Sequence, residues 1–186
     1  MRIQLNNEKF TMKDFLFVAL MICVFSAVGG FIYETIFYRL AWGYFVKRGT
    51  TFGPWIPIYG AGGLCMTLSI WRWQKNPLAV FFISFVVCGL LELLVGFVLF
   101  HCFDGLRLWD YNTEPWNFGN IAGYVCLRSL TIFGLFGFLL FYGVIPVILK
   151  LKNHLKKKKF RIVSAAIAIV FFCDIVIHMI LKGLTM

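Results

Sequence analysis

Charge is what this sequence has least of. Only 14% of its 186 residues are Asp, Glu, Lys or Arg, against about 25% in an ordinary soluble domain. Acidic residues are scarcer still, 8 against 18 Lys and Arg. Hydrophobic residues make up 61%, more than a water-soluble fold of this length can bury, so the excess must face lipid. The six cysteines include no Cys-x-x-Cys pair, which excludes a zinc ribbon or a thioredoxin-type motif. There is no Gly-x-x-x-x-Gly-Lys-Ser/Thr, no Gly-x-Ser-x-Gly and no paired-His metal motif. No tandem repeat or soluble domain is visible, so residues 1–186 read as a single integral membrane domain.

What is present is long apolar runs. A spanning helix needs about 20 mainly apolar residues. Four runs qualify: Phe15–Tyr38, Leu78–Phe100, Leu127–Leu149 and Ile162–Leu181. A shorter run, Ile56–Trp71, follows Gly53, Pro54 and Pro57 and contains Gly60, Gly62 and Gly63. It reads as a glycine-distorted helix that also crosses, with a re-entrant loop as the alternative. The expected fold is therefore all-α, a polytopic membrane helical bundle with about five transmembrane helices. The first run is too long for a signal-peptide core and no Ala-x-Ala site follows it, so it is expected to stay as an anchor.

The basic residues lie between these runs, which favours a membrane over a nucleic-acid partner. With five crossings, one side holds Arg2, Lys9, Lys13, Arg72, Lys75, Lys150, Lys152, Lys156, Lys157, Lys158, Lys159 and Arg161, 12 in all. The other holds 6: Arg39, Lys47, Arg48, Arg107, Arg128 and Lys182. The positive-inside rule then places the N-terminus in and the C-terminus out. Lys156–Lys159 reads as a topology anchor near anionic headgroups. Trp42, Tyr44, Trp55, Tyr59, Trp71, Trp73, Trp109, Tyr111 and Trp116 fall near predicted helix ends, as interfacial aromatics do. Ser26 with Gly30, and Gly134 with Gly137, offer small surfaces for close helix packing.

Charges inside apolar runs are costly and point to a site. Glu34 lies near the outer end of the first run, and Glu92 about 21 Å into the run Leu78–Phe100 at 1.5 Å per residue. One arrangement brings Glu34 and Glu92 to Arg128 or Arg48. It serves either a functional polar cluster or an ion-pair network that fixes helix register. Asp174 and His178 are four apart and share a helix face; they read as structural. His101, Cys102 and Asp104 do not have a recognised metal spacing. Cys102 and Cys126 flank one polar loop and could pair if that loop is extracytoplasmic.

Two loops are unusual. Residues 48–60 read Arg-Gly-Thr-Thr-Phe-Gly-Pro-Trp-Ile-Pro-Ile-Tyr-Gly; Pro54 and Pro57 prevent a regular helix, while Gly53 and Gly60 allow tight passage. Residues 109–119 read Trp-Asp-Tyr-Asn-Thr-Glu-Pro-Trp-Asn-Phe-Gly, followed by Asn120 and Cys126-Leu-Arg-Ser129. Together with Tyr33-Glu34 and the mid-helix Glu92, these segments resemble the ABC-transporter type IV (CmpB-like) membrane family, which includes the transmembrane protein 229 group. The resemblance covers roughly residues 26–146. It departs mildly at Phe133-Gly134, where such proteins often carry Trp-Gly.

The resemblance implies a permease-like transport component in the cell membrane. Read from the residues themselves, Glu34, Arg48, Glu92, Asp110, Asn120 and Arg128 concentrate toward the outer half of the bundle as a polar site, with Gly53, Pro54, Pro57, Tyr59 and Gly60 as the motif loop. Without a nucleotide-binding motif of its own, such a component needs a separate ATPase or other membrane subunit, or a second copy of itself. The expected surroundings are the lipid bilayer, with no nucleic acid, cofactor or metal. Two other classes stay open: an intramembrane or lipid-modifying enzyme, using a carboxylate near the headgroups as a base, and a structural accessory subunit.

Overall fold

A computed structural model describes residues 3–5 and 8–184 of the chain. Arg2, one of the basic residues counted above, lies outside them. The regular structure of the described residues is almost entirely helical, with two long loops at 43–56 and 103–126, which is the all-α polytopic bundle expected from composition. The exception is a hairpin of β1 (Ile3–Leu5) and β2 (Glu8–Phe10), with Ile3 opposite Phe10. Strands of three residues are too short for alternation to stand out in a sequence.

The helix ends follow capping chemistry rather than the edges of the apolar runs. Helix α1 (Met12–Trp42) starts at Thr11, whose hydroxyl accepts the Asp14 amide at 3.3 Å. It stops at Gly43, which takes the left-handed conformation at φ 76°. Helix α2 (Pro57–Ile70) opens on a proline, a residue suited to a first turn where amides have no helical partner. In α3 (Pro77–Cys102), the Asn76 side chain accepts the amides of Leu78 and Ala79. Helix α4 (Leu127–Phe138) runs through a π-helical turn (Leu139–Val144) into α5 (Ile145–His154). Pro146 cannot donate to the carbonyl four residues back, at Tyr142, and the wider π turn takes up that defect. Helix α6 (Lys157–Leu184) completes the chain.

Four stretches are long and apolar enough to cross a bilayer: Met12–Trp42, Pro77–Cys102, Leu127–His154 and Lys157–Leu181. Many of their large side chains are exposed, among them Leu90, Leu94, Ile169 and Val170, as expected of a lipid-facing surface. With 14 residues, α2 is about 21 Å long, short of a hydrocarbon core of about 30 Å.

The chain divides into two compact units. The first comprises residues 1–64 and 142–186. In it α1 packs against α5 and α6, and the beginning of α2 lies on α1 through small residues. Gly30 sits under the Tyr59 ring, Gly63 under Ser26, and a Cβ at Gly60 would come within 2.9 Å of the Cys23 carbonyl oxygen. The second unit, residues 65–141, is built on α3 against α4. There Gly134 faces Phe81, Gly137 faces Ser84 and Gly89 faces Leu130. The Gly134 and Gly137 surface therefore does permit close approach, as its spacing suggested.

Candidate functional site

Glu34 lies two turns before the end of α1, and Arg48 follows that helix in the loop. The Arg48 Nε donates to a Glu34 carboxylate oxygen at 2.6 Å. The Tyr59 hydroxyl, on the first turn of α2, donates to the other oxygen at 3.1 Å. The Arg48 guanidinium also lies 4.0 Å from the centroid of the Tyr38 ring. One carboxylate thus ties α1, the loop and α2 together through charge-assisted hydrogen bonds and a cation–π contact. Of the pairings considered above, Glu34 takes Arg48.

The loop between α1 and α2 is fastened a second time. Asp174, on α6, accepts the Phe52 amide at 3.1 Å, the Gly53 amide at 2.8 Å and the Trp55 indole N–H at 2.7 Å. Inside the loop, the Thr51 hydroxyl donates to the Trp55 carbonyl at 2.9 Å, and the Ile56 amide donates to the Ala27 carbonyl on α1 at 3.0 Å. His178, one turn beyond Asp174, sets its ring edge-on to Phe52 at 5.6 Å. The pair shares a helix face, as its spacing requires, and that face meets the motif loop. Asp174 lies about 25 Å from the start of α6 at 1.5 Å per residue. The non-helical backbone around Gly53 and Pro54 is therefore satisfied by a carboxylate well inside an apolar helix.

The second unit holds Glu92, buried on α3 at 6% exposure. The Tyr111 hydroxyl donates to one of its oxygens at 2.5 Å and the Ser129 hydroxyl to the other at 2.8 Å. Ser129 has a single proton but two acceptors in reach, Glu92 and, at 2.8 Å, the Cys126 carbonyl. If Glu92 carries a proton, it can donate to Ser129 while Ser129 turns to Cys126. The Cys126 carbonyl also receives the Leu130 amide at 3.1 Å, so it is paired in either case. The network closes with or without the proton. Burial, and then the neighbouring Glu92 charge, hold the Tyr111 phenol well above its usual pKa, so it remains a donor.

Arg128 projects from the first turn of α4. It pairs with Glu114 at 2.7 Å, donates to the Pro115 carbonyl at 2.9 Å and lies 5.3 Å from the Tyr111 ring centroid. Asp110 and Asn120 join through Asn112, whose side chain donates to Asp110 at 2.8 Å and accepts from Asn120 at 2.8 Å. Asn120 also accepts the Gly123 amide at 2.9 Å, and Arg107 reaches Asp110 at 3.3 Å. Gly123, at φ 79°, leaves room for the side chains of Arg107, Asp110 and Asn112, which a Cβ would strike. Asp110 and Asn120 hold the loop 103–126 in shape, and that loop delivers Tyr111 to Glu92.

The six predicted polar residues thus fall into one group in each unit: Glu34 with Arg48, and Glu92, Asp110, Asn120 and Arg128 with their loop. Sequence reasoning left Tyr111, Ser129 and Glu114 out of the site, although all three stand in the quoted loop motifs. The signal that finds them is the need of a buried carboxylate for donors and of a buried guanidinium for an acid. Cys102 and Cys126 are both free thiols, the first exposed and the second buried. Among the described residues, no group of three or more His, Cys, Asp or Glu side chains is placed to hold a metal ion.

The apolar helices define a polytopic helical membrane protein. The family described as Putative ABC-transporter type IV matches residues 20–179, and the chain belongs to it. This match is longer than the resemblance over residues 26–146 and takes in Asp174 and His178. No curated protein and no solved structure matches the chain.

Proposed function

We propose that the chain is a permease-like subunit of a transport assembly in the cell membrane, with its N-terminus in the cytoplasm and its C-terminus outside. Family membership supports this reading, and one observation carries it: the Gly-Pro loop, a broken segment between two apolar helices, is pinned by Asp174 from within a third. Discontinuous backbone held by intramembrane charges is the usual construction of a transporter site. The Glu34–Arg48–Tyr59 group borders the same loop in the same unit. With about five crossings the bundle is small, so the path is completed by a second copy or another membrane subunit, and energy comes from a separate ATPase.

Purification of the tagged chain from its native membrane in mild detergent tests this. Recovery of an ATPase subunit in fixed proportion, with ATP hydrolysis altered by Asp174→Asn, is the expected result. A complex without any nucleotide-hydrolysing partner would overturn it.

A second reading, the structural accessory subunit, draws support from the self-contained bonding of Asp110, Asn120 and Arg128 within their loop. It requires that Glu34→Gln and Glu92→Gln leave a cellular phenotype intact wherever the fold is retained.

A further inference from the structure

We propose that a cavity at one membrane end of the first unit is a binding site for the phosphate of an anionic glycerophospholipid. The cavity, about 310 Å³, lies where three span ends meet: the start of α1, the end of α5 and the start of α6. It falls within the size range of small-molecule sites, roughly 300–1,000 Å³. Because all three helices begin or end there, the cavity sits at headgroup level whichever way the protein is oriented.

Four cations line it, Lys152, Lys156, Lys157 and Arg161, against one carboxylate, Asp14. Asp14 is already neutralised, by Lys157 at 2.8 Å and Arg161 at 2.8 Å. Lys152 is paired with Glu8. Two donors remain. The Arg161 Nε is buried and has no hydrogen-bond partner among the described residues, and Lys156 forms no ion pair among them. The Arg161 guanidinium is about one-third exposed at the cavity, and its charge and that of Lys156 make a phosphate oxygen a natural partner there. The first turn of α6 contributes free amides and no acid. Phe17 and Phe160, which also line the cavity, give it an apolar wall suited to the glycerol end of a lipid rather than to a free ion.

The test uses the full-length protein in nanodiscs of phosphatidylcholine, with and without phosphatidylglycerol, and with inorganic phosphate as a separate arm. Native mass spectrometry reads retained lipid, and thermal unfolding reads stabilisation. Phosphatidylglycerol should be retained and should raise the midpoint, while inorganic phosphate should leave it unchanged. Lys156→Gln should weaken retention about fivefold, the effect of one cation near an anionic headgroup. Arg161→Gln should weaken it at least as much. Because Arg161→Gln also removes a partner of Asp14, Lys156→Gln is the decisive variant. Lys158→Gln, a neighbour outside the cavity lining, is the control and should weaken retention clearly less than Lys156→Gln. Equal loss from Lys158→Gln would reduce the effect to diffuse surface charge and overturn the site. Equal stabilisation by inorganic phosphate would overturn the lipid assignment.

Discussion

Asp174 accepts the amide of Gly53 at 2.8 Å across 121 positions of sequence. That bond and its two companions, from Phe52 and Trp55, give the Gly-Pro loop its only acidic partner on α6 among the described residues. Asp174→Asn replaces an acceptor-only group with one that presents N–H toward donors. The change should cost about 1.5–3 kcal/mol, the range for hydrogen bonds to a charged group. A lowered thermal midpoint in detergent, with helix content preserved by circular dichroism, checks this.

Glu92 is held by two hydroxyls, each able to donate or accept. Glu92→Gln should therefore fold with a loss of about 1 kcal/mol or less, since its amide can accept from one hydroxyl and donate to the other. Glu92→Leu strands the Tyr111 hydroxyl, while Ser129 keeps the Cys126 carbonyl, and should cost about 1–3 kcal/mol for the one unsatisfied group, beyond the loss from Glu92→Gln. Denaturant titration of both variants separates these outcomes; equal losses would contradict the bonding described.

Glu34 and Arg48 should behave as a coupled pair. A double-mutant cycle of Glu34→Gln and Arg48→Gln is expected to return about 0.5–3 kcal/mol of coupling. Tyr59→Phe should lose less than either, because it removes one hydrogen bond and no charge.

Gly60 and Gly29 offer a packing contrast. A Cβ at Gly60 meets the Cys23 backbone and thiol, whereas one at Gly29 meets nothing within 4 Å. Gly60→Ala should destabilise by about 1–3 kcal/mol, the usual penalty for overpacking. Gly29→Ala should be neutral or stabilising by up to about 1 kcal/mol, from helix propensity. Thermal midpoints in one detergent compare the two directly.

The orientation can be read from two thiols. Cys102 is exposed and Cys126 buried. A membrane-impermeant maleimide added outside intact cells should label Cys102 and spare Cys126. Labelling of Cys102 only after the cytoplasmic face is opened would reverse the topology.

The four long helices were legible because about 20 apolar residues in a row have few soluble explanations. Their true ends were less so: Thr11, Gly43 and Asn76 set them through caps, which act one residue at a time and outside the apolar runs. The π turn before Pro146 gave no pattern of its own. Glu34 and Glu92 stood out because a charge in an apolar run needs an explanation. Their partners did not, because Tyr111 and Ser129 reach Glu92 from 19 and 37 positions away. Such encounters are fixed by how loops fold back, and no local spacing encodes them. Asp174 was legible as a polar residue on a face with His178; that the face meets the Gly-Pro loop was not.

The dependence of that loop on α6 has a consequence for synthesis. The loop emerges from the ribosome early, but its carboxylate is made 121 residues after Gly53. At about 5–20 residues per second this is a delay of about 6–24 s. During that interval the amides of Phe52 and Gly53 and the Trp55 indole must be served by water, lipid headgroups or an insertion factor. The segment with the most distinctive sequence is thus among the last to acquire its final bonds, and a chain interrupted before α6 leaves it unfinished.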